Sequence, residues 1–301
     1  MELKSNPART FEDAVARVQQ LIQVEDEAVI HPASHTKLWS HGKATERAVV
    51  YLQGYTDSTE QFRALGDLLY QRGYNVFAPR LTHHGYRDRM SQDHGKLSLH
   101  ELKHWANDAL DTGLGLGDKV TVMGLSLGGV MATWLAQNRR DLDRALLVAP
   151  AYGVKAIPPR ATRSVARVAN RLPNMFIWWD PRVRAETGIE YAYPRFATRA
   201  LAQLFLLSSD MLNIARERPP AARTVWMITN ANDFAVSNTI CDAFTAAWTK
   251  HNTNQIFAYQ FPKELGLPHD LLDPIDVTVK PDLVYPRLIE MVQQDFQTGK
   301  K

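Results

Sequence analysis

Short apolar runs alternate with helical segments along this chain, and this alternation limits the folds open to it. Four runs are apolar along nearly their whole length: residues 48–52, 75–78, 120–123 and 145–149. The segments between them, at residues 60–71, 99–110 and 127–137, read as helices. Strands that are apolar throughout are typical of a parallel sheet covered by helices on both faces. The sequence therefore predicts an α/β fold with a mostly parallel central sheet.

This alternation stops near Gly153 and resumes about 70 residues later. Four further elements then follow: a strand at residues 224–228, a helix at 239–250, a strand at 255–259 and a helix at 285–296. Pro158-Pro159 and Pro219-Pro220 bracket the interruption, and such proline pairs break regular structure. We predict a sheet core formed by residues 1–153 and 223–301, with a mainly helical cap insertion at residues 154–222. A helix at residues 11–22 and a short strand at 37–40 precede the first long strand.

Composition and charge exclude several classes of protein. The 301 residues are 45% hydrophobic and 22% charged, which is ordinary for a folded chain with a sizeable core. The net charge of +3 is too small over this length to indicate nucleic-acid binding. The first residues are charged at short intervals, and no run reaches the roughly 18–20 apolar residues of a membrane span. We therefore expect a soluble, cytoplasmic protein.

The stretch GLSLGG directly follows the predicted strand at residues 120–123 and opens the next helix. Ser126 lies between Gly124 and Gly128, and a sharp strand-to-helix turn needs such small neighbours. This turn would expose the serine hydroxyl at the carboxyl edge of the sheet, where open α/β sheets build their sites. The same pattern also fits a glycine-rich turn without chemistry. A phosphate-binding loop is disfavoured because the Lys-Ser/Thr ending of that motif is missing.

A serine hydroxyl needs an adjacent base to become a nucleophile, and an acid must orient that base. In α/β hydrolases the acid and the histidine follow the serine in that order. Asp233 follows the strand at residues 224–228, and His269 follows the last strand. His251 is the one other histidine after Asp233, but it ends a helix on the opposite side of the sheet. We predict Ser126, Asp233 and His269 as the catalytic residues.

Two backbone N–H groups are predicted to bind the oxyanion that forms during acyl transfer. Leu127 begins the helix after Ser126, so its N–H points toward the developing charge. Gln53-Gly54-Tyr55 follows the strand at residues 48–52, and the N–H of Tyr55 is the second predicted donor. Gly54 alone also fits a glycine that only ends a strand.

These motifs together resemble a known family, the serine α/β hydrolases of the bacterial carboxylesterase and monoacylglycerol-lipase type. The similar segments are YLQGYTDSTEQFRALGDLLYQRGYNVFAPRLTHHG, VTVMGLSLGG, ALLVAPAYG, ITNANDFAVS and GLPHDLLDP. The resemblance implies the α/β-hydrolase fold and hydrolysis of a small-molecule ester or acylglycerol through an acyl-enzyme on Ser126. Those relatives carry a histidine where this chain has Gln53, so a histidine side-chain role there does not carry over. Resemblance over the insertion is weaker.

The same three residues also suit other reactions. A thioesterase, an amidase or a C–C hydrolase would use the same triad, and a non-catalytic binding protein on this fold stays a further alternative. No metal or cofactor is expected. Cys241 is the single cysteine, and the histidines at 83, 84 and 94 match no common metal-site spacing. Acyl length, alcohol group and oligomeric state stay open.

The insertion holds the residues that we expect to select the substrate. Trp178 and Trp179 belong to an aromatic cluster that could line an acyl pocket, although such a cluster could equally attach the cap to the core. The insertion carries eleven Lys/Arg and five Asp/Glu, a net charge of +6. This basic cap could lie near anionic lipid, but a solvated helix surface explains the charge equally well, and we expect no membrane association.

Overall fold

The computed structural model describes residues 4–180, 182 and 188–294. Seven strands form one sheet: β1 (Lys37–Trp39), β2 (Thr45–Leu52), β3 (Asn75–Ala78), β4 (Gly117–Leu125), β5 (Arg144–Val148), β8 (Thr224–Asn230) and β9 (Gln255–Phe261). Their order across the sheet is β1-β3-β2-β4-β5-β8-β9. Only the edge strand β1 runs antiparallel to its neighbour. The predicted strands are all present, and the mostly parallel sheet is confirmed.

Eight helices are described: α1 (Phe11–Gln23), α2 (Arg63–Gln71), α3 (Leu99–Gly113), α4 (Leu127–Asn138), α5 (Pro159–Arg171), α6 (Thr198–Glu217), α7 (Asn238–Thr249) and α8 (Pro281–Gln293). Their starts follow local sequence signals. Ser98 and Glu101 form a reciprocal capping box on α3, and Thr10 accepts the N–H of Asp13 on α1. Residues 295 and 296 of the last predicted helix lie outside the described part. None of the helices in this described part is long and apolar enough to cross a membrane.

The central strands are covered on both faces. Every residue of β3 and β5 is buried, as are the last six residues of β2. Helices α1, α3, α4, α6 and α7 contact one another in a continuous layer, whereas α2 packs on β1 and β3, and α8 packs on β5. Burying apolar side chains on both sides of the sheet is the main stabilising contribution in such a fold.

The cap segment, our name for residues 154–222, combines α5 and α6 with a small ribbon. This ribbon pairs β6 (Phe176–Trp178) antiparallel with β7 (Arg195–Ala197). The prediction of a mainly helical segment did not include the ribbon, because its two strands are short and far apart in sequence. The segment joins the core at its end, where the N–H groups of Ala221 and Ala222 donate to the carbonyl of Ala136. The division into core and cap domains stays our prediction.

Candidate active site

Ser126 occupies a strained turn between β4 and α4. Its φ of 55° and ψ of −112° lie in a region that non-glycine residues rarely adopt. Two neighbours hold this conformation: the Ser126 N–H donates to Val148 O at 3.0 Å, and Ala151 N–H donates to Ser126 O at 3.1 Å. The turn therefore projects the serine side chain above the carboxyl ends of β4 and β5.

The two glycines around Ser126 are required by space. A Cβ added to Gly124 would lie 2.1 Å from the carbonyl oxygen of Gly128. A Cβ added to Gly128 would lie 1.9 Å from the carbonyl oxygen of Leu52. Both distances are far inside van der Waals contact with backbone atoms, which cannot move aside cheaply. The sequence spacing of the motif thus has a direct steric cause.

Ser126, His269 and Asp233 form one chain of hydrogen bonds. The Oγ of Ser126 lies 3.0 Å from Nε2 of His269, and Nδ1 of His269 lies 2.7 Å from Oδ2 of Asp233. Asp233 is fully buried, and its Oδ1 accepts the N–H groups of Ala235 at 2.8 Å and Val236 at 3.1 Å. The structure therefore brings together the three side chains predicted from the sequence.

The charge distribution stabilises an ionised acid beside a basic imidazole. Burial opposes ionisation of Asp233, but its bond to His269 and the two backbone N–H groups outweigh burial and lower its pKa. Burial also opposes a charge on His269, yet the hydrogen bond and charge of Asp233, with the charge of Asp270, raise the pKa of His269 above its ordinary value. The imidazole is thus prepared to accept a proton.

The acid and the histidine are held by the ends of β8 and β9. The loop that carries His269, residues 266–273, is named the β9 loop below. Asn230 Nδ2 donates to the carbonyls of Leu267 and Pro268, each at 2.9 Å, and Asn232 Nδ2 donates to Leu267 O at 3.0 Å. His251 lies elsewhere, at the end of α7, with its Nε2 2.9 Å from Ala215 O.

The two predicted oxyanion donors border Ser126. Leu127 is the first residue of α4, and Tyr55 belongs to residues 53–57, named the β2 loop below. A Cβ added to Gly54 would lie 3.8 Å from Ser126 Cβ, so this loop passes directly beside the serine. Within the described residues, neither the Tyr55 N–H nor the Leu127 N–H donates to another protein group. Tyr55 also lines the cavity beside Ser126, whereas Leu127 is not among its lining residues in the described part of the chain.

Thr56 connects the β2 loop by hydrogen bonds to His84 and to the cap segment. It has a φ of 69°, and its N–H donates to Nε2 of His84 at 3.2 Å. His84 is buried with its Nδ1 3.0 Å from Thr82 O, and burial lowers the pKa of His84 to about 3, so the ring stays neutral. From the cap segment, Tyr193 N–H donates to Thr56 O at 2.7 Å. Of the neighbouring His83 and His84, His84 thus supports this loop, whereas Nε2 of His83 lies 3.1 Å from Oε1 of Glu101.

A cavity of about 1000 Å³ opens beside Ser126 and extends under the cap segment. Trp179 lines it and donates its indole N–H to Thr56 Oγ1 at 2.8 Å. Trp178, the other predicted pocket residue, is not among the lining residues within the described part of the chain. Consecutive residues of an extended segment point to opposite sides, and the Trp178 ring lies 5.9 Å from the guanidinium of Arg195 instead. Trp178 stays a predicted substrate contact, and the cavity lining does not support it.

The cavity has walls of different polarity. Its apolar wall comes mainly from α5, α6 and the segment that precedes α5, with Ile157, Val165, Leu201 and Phe205 among the lining residues. A polar wall near the serine includes Asp57, Gln61 and Asp270. Gln61 was missed in the sequence, although a signal existed. It falls at helical spacing from Leu65 and Leu69, so a polar residue occupies the apolar face.

The order of the seven-stranded sheet and the strained serine turn define the class of protein as an α/β hydrolase. Within that class, the chain belongs to the family described as serine aminopeptidase, S33, whose match covers residues 43–239, more than half of the sequence.

Two curated relatives match parts of the chain. A thermostable monoacylglycerol lipase from Bacillus sp. is 27% identical over 166 residues, covering 54% of this chain and 62% of the relative. A pyrethroid hydrolase from Sphingobium wenxiniae is 30% identical over 99 residues, covering 33% of this chain and 34% of the relative. The alignments thus span less than two thirds of the length of either relative.

Solved structures agree in fold at low sequence identity. A metagenome-derived lipolytic enzyme superimposes with a TM-score of 0.64 at 16% identity, covering 88% of this chain and 100% of that one. A monoacylglycerol lipase from Paleococcus ferrophilus superimposes with a TM-score of 0.63 at 17% identity, covering 86% of this chain and 97% of that one. These likenesses confirm the predicted α/β-hydrolase fold.

Proposed function

We propose that this protein hydrolyses carboxylic esters through an acyl-enzyme on Ser126. The observation that carries the proposal is the unbroken hydrogen-bonded chain from Ser126 through His269 to Asp233, opening onto a largely apolar cavity. Ser126 has a strained backbone and contacts a histidine whose pKa is raised. Both features are typical of catalytic residues and are not needed in a turn without chemistry.

The reaction follows from the positions of the protons. His269 Nε2 takes the hydroxyl proton as Ser126 Oγ attacks the acyl carbon, while Asp233 stabilises the imidazolium. Collapse of the tetrahedral intermediate breaks the bond to the alcohol oxygen, which receives the proton from His269. Water then gives a proton to the same nitrogen and attacks the acyl carbon. The bond to Ser126 Oγ breaks, this oxygen receives the proton from His269, and the carboxylic acid leaves.

The backbone N–H groups of Leu127 and Tyr55 are our proposed oxyanion donors. Both border the serine, and neither is bonded to another protein group within the residues described. Donors that are already oriented stabilise the developing negative charge without reorganisation. The N-terminus of α4 adds a favourable dipole at the same point.

The substrate that best suits the cavity is an ester of an apolar acyl chain and a small hydroxylated alcohol, such as a monoacylglycerol. The apolar wall under the cap segment suits the acyl chain, and the polar groups of Asp57, Thr56 and Asp270 suit hydroxyl groups of the alcohol. A monoacylglycerol lipase is among the curated relatives. Trp179, between the two walls, is our proposed contact for the ester region.

An amide with a free amino terminus is a second candidate. The carboxyl group of Asp270 lines the cavity beside the catalytic histidine and would attract an ammonium group, and the neighbouring Asp57 could accept a hydrogen bond from it. Comparing aminoacyl p-nitroanilides with esters of equal acyl size distinguishes the two candidates. Faster turnover of the anilides would replace the ester proposal.

The direct test compares wild type with Ser126→Ala on p-nitrophenyl esters and monoacylglycerols of graded chain length. Ser126→Ala should lower kcat by roughly 10⁴–10⁶ and abolish labelling by a fluorophosphonate probe. Ser208→Ala removes a buried serine hydroxyl that does not line the cavity, and it should leave kcat unchanged. Full turnover by Ser126→Ala would refute the mechanism, and an unlabelled Ser126 in folded wild type would favour a binding protein.

A further inference from the structure

Gln61 lies at the junction of the two loops that border Ser126. It belongs to the 3₁₀ turn Thr59–Phe62 that precedes α2, and only 2% of its surface is exposed. Its Oε1 accepts the N–H of Gly54 at 3.0 Å and the hydroxyl of Tyr51. Its Nε2 donates to Asp57 Oδ2 at 2.8 Å and to Asp270 Oδ2 at 2.7 Å. One side-chain amide thus contacts both the β2 loop and the β9 loop.

The orientation of this amide is determined by its partners. Two donors, the N–H of Gly54 and the hydroxyl of Tyr51, face one end, and two carboxylate oxygens face the other. Turning the amide over would set its NH₂ against two donors and its oxygen against two carboxylates. All the hydrogen-bonding capacity of the NH₂ group is used in the observed orientation.

Both contacts lie next to residues of the proposed mechanism. Gly54 directly precedes Tyr55, whose N–H is a proposed oxyanion donor. Asp270 directly follows His269, and its other oxygen, Oδ1, accepts the N–H groups of Leu272 at 2.8 Å and Asp273 at 3.2 Å. Asp270 therefore shapes the last part of the β9 loop and connects that loop to Gln61.

We propose that Gln61 is a positioning residue that holds the oxyanion donor of the β2 loop and His269 of the β9 loop in register around Ser126. This inference rests on the proposed ester hydrolysis and identifies a residue that, within the described residues, hydrogen-bonds neither Ser126 nor His269. A shift of about 1 Å between reacting groups can cost roughly 100-fold in rate, so a shared anchor for two loops has a large effect on kcat.

The chemistry at this position requires a side chain that both accepts and donates. Glutamate would keep the acceptor for Gly54 but would set a third carboxylate against Asp57 and Asp270. Partial removal from water and the neighbouring charges of Asp270 and Asp273 already raise the pKa of Asp57 well above its ordinary range. Methionine has a similar length but would leave the Gly54 N–H buried without a partner.

The test uses Gln61→Met and Gln61→Glu, with Gln137→Met as a matched control. Gln137 is another fully buried glutamine that bridges a donor and an acceptor, Trp248 Nε1 and Pro219 O, away from the cavity. We expect Gln61→Met to lower kcat by roughly 10- to 100-fold with KM within about threefold of wild type. Gln137→Met should lose stability and keep kcat within about twofold.

Gln61→Glu separates this role from a loss of folding. A protonated glutamate donates a hydrogen bond to the carboxylates and an ionised one does not, so the ratio of its kcat to that of wild type should rise as pH falls. Carboxyls facing position 61 are those of Asp57 and Asp270, with Asp273 farther along the loop. Gln61 variants that keep wild-type kcat, or a Gln61→Glu ratio independent of pH, would overturn the inference while leaving ester hydrolysis intact. A folded wild type that neither hydrolyses esters nor reacts with the fluorophosphonate would overturn both proposals.

Discussion

Replacing Asp233 with asparagine should inactivate the enzyme by changing the tautomer of His269. Oδ1 of Asp233 accepts two backbone N–H groups, from Ala235 and Val236. In Asp233→Asn the amide oxygen will stay at these two donors, because the NH₂ group cannot accept them. The NH₂ must then face Nδ1 of His269, which becomes an acceptor. Nε2 consequently carries the proton and can no longer take one from Ser126.

The size of this effect follows from the role of the base. Losing the correct tautomer in a Ser-His-Asp triad lowers kcat by about 10⁴, and a factor of this size corresponds to about 5.4 kcal/mol of transition-state stabilisation. The fold should survive, because the substituted side chain has nearly the same shape and keeps both backbone hydrogen bonds. KM should change far less than kcat.

The assay is steady-state hydrolysis of a p-nitrophenyl ester, with thermal unfolding measured on the same samples. Asp111→Asn is the control, because Asp111 is also a buried carboxylate but binds Arg139 and Asn107 far from Ser126. It should affect stability alone. A kcat for Asp233→Asn within about tenfold of wild type would refute the tautomer argument.

Three further predictions follow from the same contacts. The value of kcat/KM should rise with pH and reach half of its maximum at a pH above 6.5, because the base must be neutral and the pKa of His269 is raised. A pH–rate profile with its half-maximum below pH 6.5 would contradict this. Trp179→Phe keeps an aromatic ring but loses the indole N–H that donates to Thr56 Oγ1, so KM for monoacylglycerols should rise by about three- to tenfold; an unchanged KM would remove Trp179 from the substrate site. Gly128→Ala sets a methyl group against Leu52 O and should lower the free energy of unfolding by about 3 kcal/mol or more in urea titration, and a loss below 1 kcal/mol would contradict the steric argument.

Much of the core could be predicted from local sequence, because its strands are short apolar runs with clear ends. In a parallel sheet the carboxyl ends of the strands share one edge, so residues that follow β4, β8 and β9 come close without further information. This is why the positions of Ser126, Asp233 and His269 were predictable together. The helix expected from residue 60 differs at its start, where Ser58 caps a 3₁₀ turn and α2 begins at Arg63.

Features that depend on contacts between distant segments could not be predicted in the same way. The ribbon of the cap segment pairs Phe176 with Ala197, about twenty residues apart, and neither strand is long enough to show a pattern. Its geometry separates the neighbouring tryptophans, so Trp179 reaches the cavity and Trp178 does not. The role of Gln61 depends on Asp270, a partner 209 residues away in the chain.

The β2 loop explains how substrate binding under the cap segment can affect chemistry at the serine. The core holds this loop through Gln61 at Gly54 and through His84 at the N–H of Thr56. The cap segment holds the other side, because Trp179 and Tyr193 donate to the side chain and the carbonyl of Thr56. The proposed oxyanion donor, the N–H of Tyr55, lies between these anchors, so core and cap would position it jointly. Substitutions in the cap that remove either bond to Thr56 should therefore alter kcat as well as substrate preference.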